Sequence, residues 1–343
     1  MSRDYNGREF SEHVDGAMVK NILEIDDLHT YFKTVDGTVK AVNGVSFEVE
    51  EQSVLGMVGE SGSGKTVTGL SIVQLLDSPG EIEKGSIRYG GQELLGLGKE
   101  RMRSLRGKDI SMVFQNASTS LNPVITVGEQ ITEVVHQHMS ISQREALRFV
   151  ESLLKEMGIP DAAKVMRAHP FQISGGMAQR VMLAIGIALK PRLLIADEPT
   201  SNLDVTVQAQ ILRQLNKQRL ELGTSVLLIT HDLGVIAQMA QEVVVLYAGR
   251  VMERAETTAL YARPRHPYTA ALMRSVPRLD SVGHRLQVMQ GTLPKVIDPP
   301  DQCPYLARCT RAVNRCRTDP MPYLEEIGRG HKVACYNPVN EPI

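Results

Sequence analysis

Apolar and polar residues alternate along two early stretches, NILEIDDLHTYF (21–32) and AVNGVSFEVEE (41–51). Period-two alternation predicts strands with one buried face, and Asp36-Gly37 between them predicts a turn. SVLGMVG (53–59) is a short apolar run that predicts a buried strand, and a Gly-rich turn follows it. TVTGLSIVQLL (66–76) then takes up the helical period. GSIRYGGQELL (85–95) predicts a further strand and turn, and DISMVFQ (109–115) a buried strand ending on a polar side chain. Residues 116–190 change character: TVGEQITEVVHQHM (126–139) and SQREALRFVESLLKEMG (142–158) are amphipathic helices, and Val181 to Leu189 reads as a buried helix. RLLIADEP (192–199) and SVLLITHD (225–232) return to apolar strands, separated by a helix over 205–222 with a Gly stop. EVVVLYAGRVMER (242–254) reads as a last hairpin turning at Ala248-Gly249. Strands alternating with helices predict a largely parallel α/β sheet, with 116–190 as a separate helical lobe.

Residues 1–20 are polar and aperiodic and read as a flexible tail. After about Tyr261 the composition shifts to Pro, Arg and Cys, which places a boundary there: 21–261 as the main domain and 262–343 as a C-terminal extension. The chain has 343 residues, room for two or three packed units. Its 38 basic and 39 acidic residues argue against a protein whose main work is coating nucleic acid or an anionic membrane. No apolar run approaches the length that spans a bilayer. The first residues carry charges where a signal peptide needs an apolar stretch, so secretion is not expected.

Two local patterns carry chemistry. Gly59-Glu-Ser-Gly-Ser-Gly-Lys-Thr66 fits G-x-x-x-x-G-K-[ST] between a predicted strand and a predicted helix. Gly59, Gly62 and Gly64, with Ser61 and Ser63, let backbone N–H groups curl around phosphate oxygens at a helix N-terminus. Lys65 would reach the β- and γ-phosphates, and Thr66 would place its hydroxyl on Mg2+. Asp197 and Glu198 end the second acidic strand; Asp197 suits the Mg2+ shell, and Glu198 could orient or deprotonate an attacking water.

The four cysteines, Cys303, Cys309, Cys316 and Cys335, all fall in the last 41 residues. A reducing compartment disfavours disulfides. The spacings of five, six and eighteen intervening residues lack the tight pairs usual for zinc, and fit an iron–sulfur cluster at least as well. Four unrelated thiols remain the alternative.

Taken in order, these residues resemble the ATP-binding cassette (ABC) ATPases from about Ile22 to Tyr261. Ser174-Gly175-Gly176-Met-Ala-Gln179 is similar to that family's signature motif, with Met177 where Gln is usual. Thr200-Ser-Asn-Leu-Asp204 follows the acidic pair as the family's D-loop does. Gln115 stands where the family places its Q-loop glutamine, a Mg2+ and water sensor that joins Thr66 and Asp197 at the metal. His231 matches its switch histidine, which contacts the γ-phosphate, and Phe32 (Tyr31 as alternative) aligns with the aromatic that stacks on adenine. The resemblance implies a P-loop NTPase (RecA-like) core with an antiparallel β subdomain, a helical insert lobe and a Cys-containing C-terminal extension.

Met177, Arg265-His-Pro-Tyr-Thr-Ala270 and the cysteine block are similar to the peptide-importer branch, whose ATPases serve dipeptides, oligopeptides and nickel. That implies an ATPase bound to ATP and Mg2+, powering import of di- or oligopeptides, or alternatively of nickel or another small solute. It also implies a [4Fe–4S] cluster on the four cysteines, with zinc as alternative, and a basic surround of Arg308, Arg311, Arg315 and Arg317 offsetting its charge. One cassette carries one phosphate loop and one signature, so the family implies a head-to-tail dimer with a second ATPase subunit, a paralogue or itself. Each ATP would lie between Lys65 of one subunit and Ser174 of the other. Two transmembrane permease subunits would contact the helical lobe, and an extracytoplasmic solute-binding protein would act indirectly. The expected location is the cytoplasmic face of the inner membrane. A soluble ABC ATPase acting on nucleic acid is the remaining rival, disfavoured by the single cassette and the absence of a basic stripe.

Overall fold

The computed structural model describes residues 21–201, 203–275, 289, 291–294 and 296–341. In chain order the elements begin with β1 (Asn21–Thr34), β2 (Gly37–Glu50), β3 (Val54–Val58), α1 (Lys65–Ile72), β4 (Gly80–Tyr89), β5 (Gln92–Glu93), α2 (Lys99–Leu105) and β6 (Ile110–Val113). A helical stretch follows: α3 (Ala117–Ser120), α4 (Val127–His138), α5 (Gln143–Glu156), α6 (Ala162–Arg167) and α7 (Gly175–Ile187). Next come β7 (Leu193–Asp197), α8 (Val205–Leu222), β8 (Ser225–Thr230), α9 (Leu233–Met239), β9 (Glu242–Tyr247) and β10 (Arg250–Glu256). The described chain ends with α10 (Thr257–Ala262), α11 (Pro267–Arg274), α12 (Arg315–Thr318), β11 (Glu325–Gly328) and β12 (His331–Val333).

Two sheets organise these elements. The larger has the order β11-β12-β10-β9-β3-β8-β7-β6, with β9, β3, β8, β7 and β6 mutually parallel. Its central strands are buried on both faces, which their near-continuous apolar sequence requires. The pleat divides them between two cores. Val54 and Val58 of β3 join the core of the helical lobe, while Leu55 and Met57 join that of the smaller sheet. Leu194 and Ala196 of β7 repeat the division against Leu193 and Ile195. The smaller sheet, β2-β1-β4-β5, is antiparallel and packs Ile22, Ile25, Val45 and Phe47 into the second core.

The helical lobe owes its two long helices to local signals. Thr126 and Glu129 form a capping box at α4, and Ser142 and Glu145 form another at α5. The end of α8 turns through Gly223 at φ 69°, a left-handed cap that glycine takes without strain. The predicted hairpin β9–β10 is present, but the sheet does not end there. β12 pairs antiparallel with β10, and β11 with β12, so the chain beyond residue 320 extends the main sheet. These strands are short and polar, too brief for an alternation to mark them in the sequence. The predicted N-terminal tail, 1–20, lies outside the described residues.

Candidate active site

The phosphate loop leaves the C-terminal end of β3, between its parallel neighbours β8 and β9, and enters α1. Open parallel sheets hold ligands in the crevice beyond their strand ends. The loop is tightly seated there. A Cβ on Gly59 would stand 2.2 Å from the Leu246 carbonyl oxygen, and one on Gly64 would stand 2.3 Å from that of Ala41. Gly62 and Gly64 also have φ of +80° and +101°, so glycine is required at both. Backbone bonds Ser63 N–H to Glu60 C=O (3.1 Å) and Gly249 N–H to Ser63 C=O (2.9 Å) hold the loop's curl, while Ser61 is exposed. No side chain caps α1, whose N-cap is Gly64. Lys65 is buried and donates to the carbonyls of Gly59 (2.8 Å) and Glu60 (3.0 Å) and to Ser63 Oγ (3.4 Å). Burial lowers its pKa against the opposing pull of Glu198, Asp197 and Glu60.

Asp197 ends β7 at 1% exposure. Burial pushes its carboxyl up to about 6; Glu198 adds to the rise, while a hydrogen bond from Thr66 and the charge of Lys65 oppose it. Its Oδ1 is buried without a hydrogen-bond partner. A buried, unpartnered carboxylate oxygen beside a threonine hydroxyl is a donor set that suits Mg2+, a hard cation bound through oxygen.

Glu198 follows with φ +44°, a left-handed conformation rare for a residue with a side chain, and its N–H donates to Ile229 C=O at 2.8 Å. Three strand ends meet on its carboxylate. Gln115, beyond β6, donates Nε2 to Oε2 at 2.9 Å. His231, beyond β8, places Nδ1 2.9 Å from Oε1. Glu198 is largely enclosed (11% exposed), whereas His231 is open (63%).

The other predicted residues stand apart. Ser174 is the N-cap of α7, its hydroxyl accepting from Met177 N–H at 3.3 Å; Ser174 and Gly175 are exposed, and Gly176 is half-buried. Asp204 is the N-cap of α8, accepting from Thr206 and Val207 N–H at 3.0 Å. Phe32 is half-buried where β1 pairs with Val39 and Gly80, and Tyr31 donates its hydroxyl to Asn43 Oδ1 at 2.9 Å.

Sequence reasoning gave two residues no role of their own. Gln179 is buried and donates Nε2 to Pro199 C=O at 2.8 Å, tying α7 to the acidic strand end. Glu60, inside the phosphate loop, is paired with Arg308 of the extension, 248 residues away. A carboxylate inside an anion-binding loop is itself a sign that a cation is near, but nothing local says which one.

The expectation of an iron–sulfur cluster, with zinc as alternative, is corrected. Cys303, Cys309, Cys316 and Cys335 are free thiols lining one small cavity with His266, Leu306 and Ala334. Among the described residues no group of three or more His, Cys, Asp or Glu side chains is placed to hold a metal ion. Burial pushes Cys303 up to about 12 and Cys335 to about 11 and also raises Cys309. Crowding in sequence goes with a shared place in the fold, one cavity that all four thiols line. Of the expected basic surround, Arg308 binds Glu60, and Arg315 binds Asp319 and lies over the Tyr336 ring, whereas Arg311 lines the thiol cavity.

This fold and phosphate site define an ABC-type cassette, and comparison with known proteins agrees. The family pattern described as "ABC transporter" matches residues 42–201, and "Oligopeptide/dipeptide transporter, C-terminal region" matches 252–316. The chain is 43% identical over 320 residues to the oligopeptide transport ATP-binding protein OppD of Salmonella typhimurium, covering 93% of this chain and 95% of that protein. It is 46% identical over 319 residues to a probable peptide ABC transporter ATP-binding protein of Sinorhizobium fredii, covering 92% and 94%. With the dipeptide transport ATP-binding protein DppD of Escherichia coli it shares 40% over 320 residues, covering 93% and 98%. A solved dimeric ATP-binding cassette bound to ADP and phosphate superposes with a TM-score of 0.63 at 24% identity, covering 68% of this chain and 98% of that one. The chain belongs to the ABC transporter family, in the branch of these oligopeptide and dipeptide ATP-binding proteins. It is an ABC-type ATPase. No helix among the described residues is long and apolar enough to cross a membrane.

Proposed function

We propose that this chain is the ATP-hydrolysing subunit of a transporter that imports di- or oligopeptides, working at the cytoplasmic face of the membrane against permease subunits. The printed functions of the relatives support the peptide class, and their similarity runs through both the cassette and the extension. In this reading residues 21–261 are the cassette, with its helical lobe at about 116–190, and 262–343 are the extension.

One observation carries the chemistry: Gln115, Glu198 and His231 converge at 2.9 Å beyond the ends of neighbouring parallel strands, beside the phosphate loop. The loop's N–H groups and Lys65 bind the phosphates, Lys65 exchanging its bonds to loop carbonyls for phosphate oxygens. Thr66 and Asp197 would hold Mg2+, which when bound neutralises charge on the β- and γ-phosphates. Glu198 orients the attacking water and accepts its proton; Gln115 and His231 hold its two carboxylate oxygens in place. The exposed Ser174 turn completes the site of a second subunit in a head-to-tail dimer, and Phe32 stacks on the adenine. Peptide uptake in cells whose only copy carries Glu198→Gln tests the reading. Loss of peptide uptake supports it, and unchanged uptake overturns it.

A further inference from the structure

Glu60 is an acidic residue in a loop built to bind anions, and each of its polar groups is tied down. Its N–H donates to the Tyr268 hydroxyl at 2.9 Å, and its carbonyl accepts from Lys65 Nζ at 3.0 Å. Arg308 Nη1 donates to both of its carboxylate oxygens at 3.0 Å, and to the Tyr247 hydroxyl at 3.0 Å. The Arg308 side chain is 7% exposed, with its guanidinium 5.7 Å from the Tyr247 ring centre and 5.8 Å from that of Tyr305. Tyr247, Tyr268 and Tyr305 pack on one another with ring centres 4.5 to 5.4 Å apart. A rigid aromatic socket therefore aims a guanidinium from the extension at the phosphate loop.

Unpaired, the Glu60 carboxylate would repel a polyphosphate over a distance at which a half-buried site screens little. Paired with Arg308, it becomes close to neutral and holds the loop backbone in place. We propose that Arg308 is a positioning residue of the nucleotide site: by neutralising Glu60 and anchoring the phosphate loop, the C-terminal extension sets the affinity for ATP. The proposal rests on the phosphate-loop reading above. Arg308 does not touch the reacting atoms, so its effect falls on nucleotide binding and not on turnover at saturation.

The test measures Mg-ATP affinity of the full chain by displacement of a fluorescent nucleotide, together with KM and kcat for ATP. Arg308→Met is expected to weaken affinity and raise KM about tenfold with kcat changed by less than about twofold, because it leaves a half-buried carboxylate unpaired beside the phosphate loop. Arg308→Lys keeps the charge without the planar fork and falls between. Adding Glu60→Gln to Arg308→Met removes the orphaned charge and is expected to restore affinity to within about threefold of native. An Arg308→Met affinity within about twofold of native, or no rescue by Glu60→Gln, overturns the proposal. If Arg308→Met does not fold, Glu60→Gln alone decides: it leaves Arg308's charge uncompensated and should tighten ATP about threefold, and unchanged or weaker binding refutes the idea. Lys65→Ala separates the two claims. Lost binding there with a native-like Arg308→Met sinks only the Arg308 role, whereas native binding in Lys65→Ala sinks the phosphate-loop reading beneath it.

Discussion

Two helix N-termini in this protein are built in opposite ways. At α1 the N-cap is Gly64, no side chain caps the first turn, and the loop before it is packed against the backbone of Leu246 and Ala41. At α7 the N-cap is Ser174, its hydroxyl already bonded to Met177 N–H, and among the described residues nothing lies within 4 Å of where a Gly175 Cβ would stand. The first end has no side-chain cap on its N–H groups, and Lys65, Asp197 and Glu198 stand beside it in the same chain. The second is exposed at Ser174 and Gly175, and among the described residues its capping hydroxyl is bonded only within its own turn. In the proposed head-to-tail dimer, the difference is between a half of the ATP site complete within one subunit and a half offered to another.

The largest test of the completed half is Glu198→Gln. Turnover should fall about 10²- to 10⁴-fold, the usual scale for loss of a general base, with ATP affinity kept. Single-turnover hydrolysis beside equilibrium binding checks this, and normal turnover would refute the base assignment. The next test addresses the offered half. Ser174→Glu places a carboxylate where the partner's phosphate would sit, so hydrolysis and ATP-driven dimerisation should drop about 10-fold or more through like-charge repulsion. ATP binding by the isolated subunit should stay unchanged, since Ser174 makes no bond to its own phosphate loop among the described residues. If Ser174→Glu weakened binding in the monomer, the two halves would not be separate.

The completed half was legible because its parts are local. Gly59 to Thr66 and Leu193 to Glu198 are contiguous runs, the first announced by a buried strand running into a Gly-rich turn and the second by a buried strand with an acidic end. What could not be read is how three strand ends converge on one carboxylate, since Gln115, Glu198 and His231 meet only through the order β8-β7-β6. Glu60–Arg308 was hidden for the same reason, with the chain folding back across the whole domain to make it. The cysteines mislead in the other direction. Their crowding does foretell that they share one cavity, yet spacing alone cannot tell a ligand set from packed thiols. β11 and β12 escaped because strands of three or four largely polar residues carry too little pattern.

A smaller test concerns the bond joining the two regions. Gln179 lies one turn into α7 and holds the Pro199 carbonyl just beyond the acidic pair. Gln179→Met keeps the bulk but leaves that buried carbonyl unpaired, a loss of about 1–3 kcal/mol in stability. Thermal unfolding should show a fall of a few degrees, and ATP affinity should not change. An unchanged midpoint would mean that the link between α7 and β7 is made elsewhere.

A last test, of similar size, probes what the phosphate site gives up to be ready for a cation. The Asp197 carboxyl in the fold titrates at about 6, above its ordinary 3.8, chiefly through burial. A raised acid means that the folded state holds the proton more tightly. Its contribution to stability is therefore fully present below about pH 4, is lost as pH rises towards 6, and stays lost above it. That two-unit rise corresponds to roughly 3 kcal/mol at most, an upper bound for a partly relaxing site. Asp197→Asn cannot ionise, so the nucleotide-free variant should unfold a few degrees above the native chain at pH 8, with the gap closing towards pH 4. Mg-ATP should reverse the order, stabilising the native chain and not the variant. A variant less stable than native at pH 8 without nucleotide would mean that the Thr66 bond outweighs burial, and that Asp197 is held as a structural carboxylate and not kept in reserve for a metal ion.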